Sequence, residues 1–167
     1  ILNAQDHDLQ WGNVMVDDHG LAAVLDWELS HLGDGHEDLA FGCMTVWRFG
    51  QLDKPAFGVG SLEDYFAAYE AAGGEAVDRE RFHFWLVYRT LWWALGCLDM
   101  GQAWRSGADR TVERVVVGRR TAEQELDLLM LLEQEAPPAE RQRPLPDSPP
   151  PAAAPIGEPS KREMIEA

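Results

Sequence analysis

The sequence predicts a mainly helical α+β unit carrying one small β-hairpin, and three observations predict it. A run from Asp78 to Trp104 is apolar on nearly every side, two short β segments flank a single turn near the start, and nine of the ten prolines crowd between Pro137 and Pro159. With 167 residues and 46 % hydrophobic side chains, the chain builds one core and leaves little room for a second.

Val14-Met15-Val16 and Ala22-Ala23-Val24-Leu25 read as strands because they bracket the turn-forming run Asp17-Asp18-His19-Gly20. From His36 the spacing predicts a helix whose buried stripe is Leu39, Cys43, Val46 and Trp47, and Gly50 to Gly60 reads as a loop. A second helix runs from Leu62 to about Ala72. Ser61 caps it, Glu63 and Asp64 sit at its positive end, and Gly73-Gly74 stops it. The third helix, Asp78 to Trp104, carries Phe82, Phe84, Trp85, Leu86, Tyr88, Leu91, Trp92, Trp93, Leu95 and Leu98, so it should be central and covered on all sides. A last helix is predicted from about Val112 to Gln134, ending in Leu126, Leu128, Leu129, Leu131 and Leu132. Residues 1–135 are thus read as the folded unit. Residues 136–167 are read as a Pro-rich, disordered tail, because proline removes backbone donors and the segment has little to bury.

Composition narrows the function. Fourteen basic against 29 acidic side chains give a net charge of −15, which repels nucleic acid and anionic membranes. An anionic cofactor then needs cationic help, which a divalent metal on carboxylates provides. Cys43 and Cys97 stand far apart in apolar surroundings and read as buried free thiols rather than a disulfide or zinc site. His31 and His36, separated by a Gly-Asp-Gly break, lack a regular helical metal spacing, and no G-x-S-x-G nucleophile motif is present. No signal-peptide layout or long apolar span appears, so a soluble, cytoplasmic protein is expected. Nothing in the sequence sets an oligomeric state.

The chemistry concentrates in Asp6-His7-Asp8-Leu9-Gln10-Trp11-Gly12-Asn13, followed by the hairpin and then by Leu25-Asp26-Trp27-Glu28. An Asp, an Asn and a second Asp in this order offer what phosphoryl transfer needs. One carboxylate orients the attacking hydroxyl and accepts its proton, and two oxygen ligands hold Mg²⁺ against nucleotide phosphates. Taken alone, an Asp and an Asn five apart are more often turn and capping residues, so the whole string with its hairpin carries the argument.

That string resembles the aminoglycoside phosphotransferase and choline-kinase-like family, whose usual pattern is HGDLxxGNVLV, a hairpin and I/V-D-W. The resemblance implies the C-terminal lobe of a protein-kinase-like fold, with Asp8 as catalytic base and Asn13 and Asp26 as metal and cofactor ligands. It also implies Mg²⁺ with ATP or GTP as phosphoryl donor and a small hydroxylated molecule as acceptor. Leu32-Gly33-Asp34-Gly35-His36-Glu37-Asp38-Leu39-Ala40 is similar to the family's GDPxxDLA element. Asp34 and Asp38 are read there chiefly as turn and cap residues, with a site role for Asp34 as the alternative. Trp27 to Asp34 and Gly118 to Glu123 look like the subgroup related to the kinase-like domain of acyl-CoA dehydrogenase fusion proteins, which points to a hydroxylated acyl or other metabolite.

Two positions depart from the family pattern: Asp6 and His7 stand where it has His and Gly. Asp6 sets a further carboxylate near Asp8, and like charges raise the pKa of one member of such a pair. Ile1 opens the sequence just before the motif, so the nucleotide-gripping N-terminal lobe is expected to be missing and the chain to be a fragment. The rival reading is a catalytically silent helical binding module.

Overall fold

The computed structural model describes the backbone of Asn3–Gln5 and residues 9–135. Asp6, His7, Asp8 and the tail from Ala136 lie outside the described residues.

Short polar side chains start the helices, because the first N–H groups of a helix have no partner within it. Asp34 accepts from the His36 N–H to open α1 (Gly35–Phe41), and Ser61 accepts from Asp64 to open α2 (Leu62–Ala71). Asp78 accepts from Glu80 and Arg81 at the start of α3 (Arg79–Ser106), and Thr111 accepts from Arg114 at the start of α4 (Val112–Gly118). Helix α5 spans Thr121–Glu135. Gly107, at φ 83°, ends α3 in a left-handed conformation that a side chain would resist.

The predicted hairpin is present as β2 (Val14–Asp17) and β3 (Gly20–Val24), antiparallel, with Val14 opposite Val24 and an irregularity between Met15 and Val16. A second antiparallel pair was not foreseen. It joins β1 (Asn3–Gln5) to β4 (His31–Gly33), with Ala4 opposite Leu32. Strands of three residues are too short to show an alternating pattern, so only the fold brings these two together.

The core gathers Leu39, Phe41, Cys43, Met44, Val46, Phe66, Phe82 and Leu86, with α3 packed against α1, α4 and α5. The predicted stripe Leu39, Cys43 and Val46 is buried, yet the helix carrying it ends at Phe41 and resumes as a short 3-10 turn over Thr45–Arg48. The Phe57 ring packs at this break, so close that a Cβ on Gly42 would lie 2.0 Å from its Cζ. The last predicted helix is likewise two. Gly118 ends α4 where the chain passes Gly101 of α3 so closely that a Cβ on Gly118 would sit 2.6 Å from the Gly101 Cα. The expectation that α3 is covered on all sides is not met among the described residues. Its Phe82–Leu86–Cys97 face is buried, while Phe84, Tyr88, Leu91, Leu95 and Leu98 are exposed.

Candidate active site

The hairpin brings the two ends of the motif together. Its register sets Val14 against Val24, and the Leu25 N–H donates to the Asn13 carbonyl at 2.7 Å, so the ladder continues one step past the strands. Asn13 and Asp26 therefore emerge at the same end of the hairpin. Before it, the turn Trp11–Asn13 is held by Gln10, whose side-chain oxygen accepts from the Gly12 N–H at 2.6 Å and whose carbonyl accepts from the Asn13 N–H at 2.9 Å. The Trp11 indole N–H donates to the Phe57 carbonyl at 2.6 Å, and the two rings meet edge-on. The motif loop is thus anchored to the Ala56–Gly60 turn that precedes α2.

Asp26 adopts φ 66°, ψ 50°, a left-handed conformation uncommon for a residue with a side chain, and its carboxylate makes no capping bond to the turn Trp27–Leu29 that it precedes. Backbone held in such sparsely populated regions concentrates at functional sites. The Trp27 indole N–H donates to the Val24 carbonyl at 2.9 Å and locks the exit from β3. Asn13 is half-buried and Asp26 exposed, so the oxygens of both belong to one accessible end of the hairpin. They are hard donors of the type Mg²⁺ takes, with phosphate and water left to complete its shell. Among the described residues no three His, Cys, Asp or Glu side chains gather as a metal site, so that reading rests on Asn13 and Asp26. Asp8 lies outside the described residues.

Asp34 proves to be an organising residue. Its carboxylate caps α1, accepts from the His36 ring Nδ1 at 3.0 Å, and reaches α3 through Arg81 Nε at 2.5 Å and Trp85 Nε1 at 2.6 Å. Burial raises its pKa. The bonds from the His36 N–H, Trp85, Arg81 and the His36 ring together outweigh that effect and bring it down to about 2. His36 completes the joint, because the Asp78 N–H donates to Nε2 at 3.0 Å. A backbone amide can only donate, so Nε2 accepts and the proton shared with Asp34 sits on Nδ1.

Sequence reasoning missed Arg89, the one charge between Phe82 and Leu98 and therefore visible in principle. Its guanidinium is almost fully buried, meets the equally buried Glu37 at 3.4 Å, and lies over the rings of Trp92 and Phe41 at 4.2 and 4.8 Å. Burial pushes the Glu37 carboxyl upward against the opposing pull of Arg89 and His31. These groups, with Leu29, His31, Trp85, Tyr88 and Trp92, line a cleft of about 340 Å³ that begins three residues beyond Asp26. A charged floor and aromatic walls suit a small molecule with both polar and apolar parts.

Residues 7–85 match the model of the phosphotransferase enzyme family. Acyl-CoA dehydrogenase family member 10 of Mus musculus is 38 % identical over 56 residues, which is 28 % of this chain and 5 % of that protein. A crystal structure from Ralstonia eutropha JMP134, described as a candidate aminoglycoside phosphotransferase, superposes with a TM-score of 0.63 at 22 % identity, over 79 % of this chain and 43 % of that one. The chain therefore spans a small part of the first relative and under half of the second. Through the motif, the hairpin and the first half of its helices, the chain resembles the phosphotransferase enzyme family, and its fold is part of the kinase-like fold of aminoglycoside phosphotransferases.

Proposed function

We propose that this chain carries the catalytic and metal loops of a phosphotransferase that moves a phosphoryl group from ATP or GTP to a hydroxyl of a small molecule. The observation that carries the reading is the hairpin, which delivers Asn13 and the left-handed Asp26 to one end, directly after the motif loop. Mg²⁺ with its nucleotide supplies charge neutralisation of the transferred group when bound. This chain's own residues supply position. Asn13 and Asp26 fix where the metal would sit, Asp8 orients the acceptor hydroxyl and takes its proton, and the Glu37–Arg89 cleft receives the acceptor body. The acyl-CoA dehydrogenase family relative supports a hydroxylated acyl-type metabolite over an aminoglycoside as acceptor. Residues 1–135 form the phosphotransferase unit and 136–167 a Pro-rich tail.

The test is calorimetric titration of ATP with and without Mg²⁺, on this chain and on the full product of its reading frame, each beside its Asp26→Ala variant. Metal-dependent binding that Asp26→Ala weakens at least tenfold supports the reading, as does loss of product formation in Asp8→Asn. Absence of metal-dependent binding in the full product overturns it and leaves the helical binding module.

A further inference from the structure

The motif loop and the hairpin meet the helices without burying themselves. From Leu9 to Gly35 no residue is buried. An apolar cavity of about 270 Å³ opens between Val14, Val16 and Leu21 of the hairpin and Phe57, Val59 and Tyr65 facing them. Apolar burial acts in proportion to the area removed from water, so here it does little to fix where Asn13 stands relative to the helices. A directional bond takes that part. The Trp11 indole N–H reaches the Phe57 carbonyl at 2.6 Å across 46 positions of sequence, from a side chain that is itself 39 % exposed.

The accepting peptide is fixed on both sides. Phe57 stands at φ 53° and Gly58 at φ 73°, two successive left-handed residues, and for Phe57 this conformation is uncommon. A Cβ on Gly58 would lie 2.6 Å from the Arg48 carbonyl oxygen, so this peptide sits hard against the end of the 3-10 turn Thr45–Arg48. The Phe57 N–H donates to the Gly42 carbonyl at 3.1 Å, and Ala56 pairs with Gly60 across the turn. The carbonyl offered to Trp11 thus belongs to a frame built on the end of α1. On the other side of the bond, Trp11 opens the turn Trp11–Asn13, whose last residue is the one the phosphotransferase reading gives to the metal.

We infer that Trp11 is a positioning residue: its bond to the Phe57–Gly58 peptide holds Asn13 in register with the helices, so that Asn13 and Asp26 present their oxygens together. The inference rests on the phosphotransferase reading and deepens it. Trp11 acts through Asn13, and groups that orient a metal ligand govern metal affinity by about tenfold or more. Loss of the indole donor therefore weakens the metal-dependent part of nucleotide binding and leaves the metal-free part alone.

The test uses the full product of the reading frame. Trp11→Phe keeps an aromatic ring and removes the donor. Gly58→Ala disturbs the acceptor, and Trp104→Phe changes a tryptophan of equal exposure near the end of α3 as the control. Calorimetric titration of ATP with and without Mg²⁺ is expected to show metal-dependent binding about tenfold weaker in Trp11→Phe, with metal-free binding and circular dichroism unchanged and Trp104→Phe like wild type. The double variant Trp11→Phe/Gly58→Ala is no weaker than the weaker single one, because both act on one bond. A readout without ligand accompanies this: the Trp11 indole proton, assigned in NMR spectra by its absence from Trp11→Phe, is protected from exchange in wild type and loses protection in Gly58→Ala. Unchanged metal-dependent binding in Trp11→Phe, an equal loss with and without Mg²⁺, an equal loss in Trp104→Phe, or an unprotected Trp11 proton in wild type overturns the inference and leaves the phosphotransferase reading standing. A wild type that shows no metal-dependent binding overturns that reading, and this inference with it.

Discussion

At Asp34 two effects compete on one carboxylate. Burial favours the neutral acid, while the donors from His36, Trp85 and Arg81 favour the anion, and the donors win. The carboxyl therefore titrates at about 2 in the fold against its ordinary 3.8. The unfolded chain binds the proton more tightly, so stability rises with pH across this window. The contribution is complete above the ordinary carboxylate range and is lost as pH falls from about 4 through 2. Urea denaturation of wild type against Asp34→Asn should show the variant less stable by about 1–3 kcal/mol at pH 7, with the gap closing at pH 2. A gap independent of pH would mean that Asp34 acts through shape and not through charge. Asp34 was readable in the sequence as a turn residue before a helix. Its partners Arg81 and Trp85 were not, because they lie 47 and 51 residues away and only packing of α1 on α3 brings them within reach.

Among the elements, the end of α1 connects core packing to the motif loop. Gly42 leaves space for the Phe57 ring, whose backbone N–H donates to the Gly42 carbonyl at 3.1 Å and whose own carbonyl accepts from Trp11. Tyr65 of α2 meets the same ring edge-on at 5.6 Å. A methyl group at position 42 must displace Phe57 and with it the anchor of Trp11. Gly42→Ala should therefore cost about 1–3 kcal/mol of stability, the usual range for overfilling a packed site. Shortening the ring in Gly42→Ala/Phe57→Leu should recover part of that loss. Equal denaturation midpoints for wild type and Gly42→Ala would remove the clash from the account. The Ser61 cap and the β2–β3 hairpin followed from local residue chemistry and are present in the structure, while Asp34 caps α1 where the sequence reading gave the cap to Asp38. The two broken helices did not, and each break lies at a glycine approached by a distant neighbour, Phe57 at Gly42 and Gly101 at Gly118.

For the whole molecule, an excess of 15 negative charges makes the compact state repel itself. Thermal denaturation at pH 7 should accordingly shift upward by a few degrees between 10 and about 200 mM NaCl, as screening shortens the reach of that repulsion to under 10 Å. A midpoint that stays flat or falls would show that local ion pairs such as Arg81–Asp34 dominate over the global field. Among the described residues no helix is long and apolar enough to cross a membrane.

The sequence by itself determined the hairpin, the order Asp8, Asn13, Asp26 and the Ser61 cap of α2, because each depends on residues a few positions apart. The return of Asn13 and Asp26 to one end of the hairpin was also implicit there, since a two-stranded ladder must return its second end to its first. Only the tertiary structure decided the rest. It paired β1 with β4, set Glu37 against Arg89, and turned one face of α3 outward. Those arrangements depend on which surfaces meet, and an all-apolar helix does not state which of its faces the rest of the chain will cover.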